Sequence, residues 1–297
     1  MTNDAAHAPT AYAATADAPM HGLRHVSDLY ARGMPIVMLT AYDAPSARIA
    51  ESGGADIILV GDSAAMTVLG YASTRDVSID EMLMLTRAVR RVVQHIAILG
   101  DLPFGSYEAS DDLAVASAHR FMIEGGCDAV KLEGAGPTLP RVRAIIAAGI
   151  PVFGHVGLLP QSVTSQDGYR ARGRDATQAQ AIIDDARELN DVGCIGLVVE
   201  AVPADVAAII TNASRIPVVG IGAGASTNGQ VLVYHDLLGF TQGRLPRFVK
   251  QYANAHDDLV AAVRAWADDV RSREFPREEH TYPIADAVLR ELHAKVR

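Results

Sequence analysis

The chain has 297 residues, 49% of them hydrophobic and 21% charged, with a formal net charge of −9. That acidic balance, without a dense basic cluster, argues against a nucleic-acid partner, and no apolar stretch reaches the roughly 18 to 20 residues that a membrane span needs. The two cysteines, Cys127 and Cys194, follow no metal-binding or redox spacing and read as buried thiols of a protein kept in a reducing cytoplasm.

The first 20 residues are rich in alanine, threonine and proline. They lack both a basic start and a continuous apolar segment, so a disordered tail is expected over 1–20 rather than a signal peptide. Met20 directly precedes the patterned region and is a candidate start residue, which N-terminal sequencing of the native protein would decide. From residue 36 onward, short apolar runs alternate with amphipathic segments. The runs are IVMLTAYD (36–43), IILVGD (57–62), IAILGD (96–101), AVKLEG (129–134), PVFGHVG (151–157), GLVVEAV (196–202) and PVVGIGAG (217–224), with a weaker eighth, VLVYHD (231–236). Continuous Val/Ile/Leu runs indicate parallel strands covered on both faces. Between them, Ile182, Ile183, Ala186, Leu189 and Val192 fall on one helical stripe that Gly193 stops. A second helix over 138–151 is punctuated by Gly149 and Pro151.

Eight strand candidates separated by helices predict an α/β fold, a (β/α)8 TIM barrel. A doubly wound open sheet is the main rival because the eighth run is weak, although no GxGxxG follows the first strand. Near the end, Leu259, Val263, Trp266 and Val270 lie about one turn apart on a helix, a stripe expected to be core or a subunit contact. No internal repeat or linker is evident, so one domain is expected over 21–282, with a helical tail over 283–297.

In such a barrel the active site lies at the carboxyl ends of the strands. Four runs end there in a carboxylate: Asp62, Asp101, Glu133 and Glu200. Ile58, Val60 and Asp62 share one face of their strand, as do Ala97, Leu99 and Asp101, and Gly196, Val198 and Glu200. If those faces point inward, four acids meet at one mouth with only Lys131 and His155 to offset them. A divalent cation would relieve the repulsion, and oxygen-only ligands suit Mg²⁺, with Mn²⁺ or Co²⁺ as substitutes, better than zinc. The alternative is that each acid caps a helix or pairs with an arginine. A similar choice holds for AVKLEG, where Lys131 and Glu133 share a face as a structural ion pair or as ligand contacts.

Other candidates carry their own alternatives. GIGAG (220–224) is either an anion cradle or, favoured because no basic residue follows within the loop, a tight strand-to-loop turn. His155 reads as a core or a ligand-facing histidine, and Ser63 as a ligand contact or a helix N-cap. Tyr169 and Arg170 are expected in a mobile loop after the fifth strand.

Together, LTAYD, LVGDSAAMTVLGYAST, GDLPFGSY, AVKLEG, GHVGLLPQSV, LVVEAVP, PVVGIGAG, QVLVYHDLLG and GRLPRFVKQYA, in order from Leu23 to Tyr282, resemble the ketopantoate hydroxymethyltransferase family. The resemblance implies a barrel of the phosphoenolpyruvate/pyruvate type, a homodecamer, and transfer of a one-carbon unit from 5,10-methylenetetrahydrofolate to 3-methyl-2-oxobutanoate in pantothenate synthesis. By the same resemblance, Asp62, Asp101 and Glu133 match magnesium ligands. Asp62 and Ser63 match the pair that holds the oxo-acid carboxylate, Asp101 and Lys131 match further substrate contacts, His155 lines the pocket, and Glu200 matches the proton acceptor. Ala64 and Ala65 depart from the family's usual larger apolar residue and glycine, and the loop QSVTSQDGYRARGR departs from its usual asparagine- and lysine-containing form.

The residue types suit this chemistry. A 2-oxo acid chelating Mg²⁺ has charge stabilised on its keto oxygen, a base removes the C3 proton, and the resulting enolate attacks the donor's methylene. Glu200 is the acid not assigned to the metal, on a strand read as lying across the mouth from the metal group. Two rivals are an isocitrate-lyase-like enzyme, which commonly depends on a cysteine in a lid loop, and a barrel that has lost catalysis and serves as a scaffold.

Overall fold

The structure, a computed structural model, describes residues 22–163 and 170–296. The tail expected over 1–20, with Met20, and Tyr169 of the loop after the fifth strand lie outside the described residues. Eight parallel strands close into a barrel in chain order: β1 (Ile36–Thr40), β2 (Ile57–Val60), β3 (Ala97–Asp101), β4 (Ala129–Glu133), β5 (Val152–Gly157), β6 (Gly196–Glu200), β7 (Val218–Ile221) and β8 (Gly229–Leu232). β8 pairs with β1, Ile36 to Gly229 through Leu39 to Leu232, so the open-sheet rival is excluded. The eighth strand begins two residues before the apolar run and ends before Tyr234, which starts a short helix. It reads weakly because Gln230 faces solvent on its outer side, whereas β2, β3, β4 and β7 are buried on both faces.

Inside the barrel, Ile36, Met38, Ile57, Leu59, Ala97, Leu99, Ala129, Phe153, Val198, Val219 and Val231 form one apolar core. Each large member taken wholly out of water contributes about 1.5–3 kcal/mol. The helix α1 (Gly22–Ala31) adds Val26 to this core, with Leu23, Leu29 and Tyr30 packed against it. Its first residue bonds His95, just ahead of β3, so α1 closes the amino end of the barrel. The carboxyl end is where polar side chains enter.

Gly196 shows how tightly the interior is filled. A Cβ there would lie 2.2 Å from Phe153 Cε1, on a ring that is itself fully buried. Gly196→Ala is therefore expected to lower stability by about 1–3 kcal/mol through overpacking, measured by chemical denaturation. An unchanged midpoint would mean that the core yields more readily than described. Cys127 and Cys194 are both buried free thiols, as expected. Burial pushes the Cys127 thiol well up and the Cys194 thiol up to about 12, so neither offers a thiolate at neutral pH. Both should react with a thiol reagent only after denaturation; fast labelling of the native protein would contradict this.

The helix Ala176–Val192 buries Ile182, Ala186 and Leu189 from the expected stripe and ends at Gly193 with φ 105°. The described residues fall into two compact units. One runs to Tyr234 and takes in Pro246–Val249; the other comprises His235–Leu245 and Lys250 onward. The second unit contains the helices Ala255–Ser272 and Asp286–Lys295, and neither has a buried residue. The stripe of Leu259, Val263, Trp266 and Val270 is thus exposed among the described residues. Among the described residues, no helix is long and apolar enough to cross a membrane.

Candidate active site

Register sets the polar layer. Asp101 at the end of β3 lies beside Lys131 of β4, Glu133 beside His155 of β5, and Gly157 beside Glu200 of β6. Two residues below on the same inward faces are Leu99, Ala129, Phe153 and Val198, all in the apolar core. The alternation of a strand therefore points Asp101, Lys131, Glu133, His155 and Glu200 inward above the core, Lys131 beside Asp101 and Glu133 two residues further along the same strand beside His155. All but Glu200 are buried; the Glu200 side chain keeps 17% of its exposure.

The second strand departs from this expectation. Its core residues are Ile57 and Leu59, so the face carrying Ile58 and Val60 points outward. Asp62 reaches the site by another route. β2 ends at Val60 and the chain turns at Gly61, whose carbonyl accepts from the Ala64 N–H. The strand period no longer applies there, and the turn carries Asp62 inward, where its N–H donates to Asp101 Oδ2 at 3.1 Å.

Lys131 Nζ donates to Asp101 Oδ1 at 2.7 Å, a buried ion pair. His155 stands between two acids, Nδ1 3.5 Å from Glu133 Oε1 and Nε2 3.3 Å from Glu200 Oε2, at ion-pair distance but out of hydrogen-bond alignment. One strand separates Glu200 from Glu133, and His155 on that strand stands between them. Burial, then the charges of Asp101 and Glu133, push the Asp62 carboxyl well above its ordinary range. Burial and Lys131 oppose charge on His155, but Glu133 and Glu200 outweigh them and hold it up at about 9. Burial likewise opposes the Lys131 charge, and Asp101, Glu133 and Asp62 more than compensate. Acids and cations in this layer share one field.

Ser63 precedes the helical turn Ala64–Thr67 without capping it through its side chain. Its Oγ lies instead 2.8 Å from the hydroxyl of buried Tyr42, whose phenol burial pushes up to about 12. Ala64 and Ala65 are fully buried. Two buried side chains were not anticipated. Gln161, in the turn Pro160–Ser162 after β5, donates from its backbone N–H to Glu133 Oε2 at 3.0 Å and from Nε2 to Asp62 Oδ2 at 2.9 Å. Tyr107 donates to Gln161 Oε1 at 2.6 Å. The available signals were modest: a lone amide in the apolar stretch GLLPQSV, and a tyrosine six residues beyond Asp101. GIGAG is a close-packed turn: a Cβ on Gly222 would meet Phe248 at 2.5 Å, and one on Gly224 would meet Ala204 at 2.5 Å. Arg170 is exposed.

Asp62, Asp101 and Glu133 meet in this layer, yet among the described residues no three His, Cys, Asp or Glu side chains form a ready metal cage. Lys131 and the Asp62 N–H occupy the two oxygens of Asp101, and Gln161 occupies one oxygen each of Asp62 and Glu133. What remains suits a hard cation that keeps water and binds through one or two carboxylates, as Mg²⁺ does. Glu133 Oε1 is buried without a hydrogen-bond partner, and Asp62 is crowded by neighbouring negative charge.

A closed barrel of eight parallel strands with an acid-rich polar layer at its carboxyl end defines the class: a (β/α)8 TIM barrel. Among solved structures, 2,3-dimethylmalate lyase, described as a PEP mutase/isocitrate lyase superfamily member, shares this fold with a TM-score of 0.57 at 15% identity over 89% of this chain and 90% of that one. The family model for ketopantoate hydroxymethyltransferase matches residues 21–278, and the chain belongs to that family of transferases. It is 48% identical over 254 residues to the 3-methyl-2-oxobutanoate hydroxymethyltransferase of Geobacillus kaustophilus, covering 86% of this chain and 91% of the relative. To the same-named protein of Oleidesulfovibrio alaskensis it is 51% identical over 251 residues, covering 84% and 87%.

Proposed function

We propose that this chain transfers a hydroxymethyl group from 5,10-methylenetetrahydrofolate to 3-methyl-2-oxobutanoate, giving 2-dehydropantoate (ketopantoate) in pantothenate synthesis. Family membership supports the overall reaction. The observation that carries the residue assignment is the buried acid layer with Lys131 at the open end of the barrel.

Asp62 and Ser63 receive the oxo-acid carboxylate, the Ser63 hydroxyl being held ready by Tyr42. Asp101 and Lys131 make further substrate contacts, and Lys131 balances the negative charge that grows on the substrate. Glu200, the most exposed acid of the layer, takes the C3 proton. His155 lies against it, with Nε2 3.3 Å from Glu200 Oε2. C3 then bonds to the donor's methylene carbon, both bonds from that carbon to the folate nitrogens break, water supplies the hydroxyl of the product, and tetrahydrofolate leaves with the C3 proton and the remaining water proton on its two nitrogens. Asp62, Asp101 and Glu133 would hold Mg²⁺. Bound there, the ion would supply Lewis-acid stabilisation of charge at the keto oxygen.

An isocitrate-lyase-like cysteine mechanism finds no support: Cys127 and Cys194 precede β4 and β6, at the end opposite the acids, and both are buried. The same reading makes the chain a cytoplasmic homo-oligomer, a decamer by family likeness, with the exposed stripe from Leu259 to Val270 available for subunit contact. The purified protein, given both substrates and Mg²⁺, should release ketopantoate at a rate that depends on each substrate. No product under those conditions would sink the reading.

A further inference from the structure

We infer that Gln161 and Tyr107 form a positioning pair: Gln161 fixes the orientation of Asp62 and Glu133, and Tyr107 fixes the orientation of Gln161. This rests on the function proposed above and adds to it two residues that do not touch the reacting atoms.

Gln161 is 2% exposed, and every polar atom of its side chain is engaged. Nε2 donates to Asp62 Oδ2 at 2.9 Å and to Leu102 O at 2.9 Å, while Oε1 accepts the Tyr107 hydroxyl at 2.6 Å. The amide admits one orientation. Turned over, its oxygen would face both the Leu102 carbonyl and the Asp62 carboxylate, two acceptors that it could not satisfy. The Tyr107 hydroxyl, donating to Oε1 at 2.6 Å, selects that orientation. The backbone N–H of the same glutamine holds Glu133 Oε2 at 3.0 Å.

One residue therefore grips a carboxylate from the turn after β2 and another from β4, although the acids stand 71 positions apart in the chain. With Oε2 held, Glu133 presents Oε1, which has no hydrogen-bond partner. A neutral amide suits this task. It satisfies the Asp62 carboxylate without cancelling its charge, as a lysine would, and without adding a further negative charge, as a glutamate would, while the backbone N–H of the same residue holds Glu133. Groups that orient ligating carboxylates from behind typically change affinity about 10- to 100-fold when removed.

The test is calorimetric titration of the whole protein with 3-methyl-2-oxobutanoate in Mg²⁺ buffer. Gln161→Leu should weaken binding about 10- to 100-fold. Tyr107→Phe, which deletes one oxygen, should weaken it by about tenfold or less and guards against a Gln161 variant that fails to fold. The double variant should bind no worse than Gln161→Leu alone, because Tyr107 acts through the glutamine. Losses that multiply in the double variant, or unchanged binding in both single variants, would overturn the inference. Failure of the unmodified protein to bind the oxo acid with Mg²⁺ would instead count against the function proposed above.

Discussion

Replacing Glu200 by glutamine is expected to reduce turnover about 10²- to 10⁴-fold, the usual worth of a positioned general base. Binding of 3-methyl-2-oxobutanoate should persist, because Glu200 makes no contact with the Asp101–Lys131 pair and stands at the edge of the layer. The expectation follows from placement. Glu200 is the last residue of β6 on the inward face, beside a histidine that stays protonated at neutral pH. Ala201 follows it in a left-handed conformation, φ 47°, which non-glycine residues seldom adopt, so the backbone turns away immediately after the carboxylate. A Glu200→Gln variant with near-normal turnover would remove this residue from the chemistry.

The second large effect is expected at Asp101. Asp101→Ala removes the acceptor of two buried donors, Lys131 Nζ and the Asp62 N–H. Breaking a buried ion pair by deleting one partner costs about 3–5 kcal/mol, because the other charge remains out of water. Thermal or urea denaturation should register that loss, and Mg²⁺-dependent binding of the oxo acid should fall with it. Asp101→Asn keeps the shape and an acceptor for Lys131, so it should recover part of the stability while binding stays impaired. Full stability and full binding in Asp101→Ala would show that the pair is incidental.

These expectations were legible in the sequence to different degrees, for physical reasons. Strands β2 to β7 were readable because burial on both faces leaves an almost unbroken apolar run. β8 was misplaced by two residues because a glycine and an exposed glutamine open it. For β3, β4 and β6, alternation grouped each acid with one face of its strand but left open which way that face points; Leu99, Ala129 and Val198 on those faces lie in the core of the barrel. For Asp62 the same rule assigned the wrong face to the strand, since a period of two holds only while the chain stays extended. Gln161 and Tyr107 left almost no trace, because what they do depends on where two loops are carried by separate strands. The exposed stripe from Leu259 to Val270 marks another limit: amphipathic spacing states that a face is apolar and leaves open what covers it.

The central claim is that the acid layer serves proton removal from C3 of a bound 2-oxo acid. The most direct measurement is exchange of that proton in D₂O, followed by NMR on 3-methyl-2-oxobutanoate with the unmodified protein and Mg²⁺ and without the folate donor. The C3 proton signal should decline steadily and stop declining when the divalent ion is chelated. An unchanged signal with Mg²⁺ present, or exchange that continues undiminished under chelation, would contradict it.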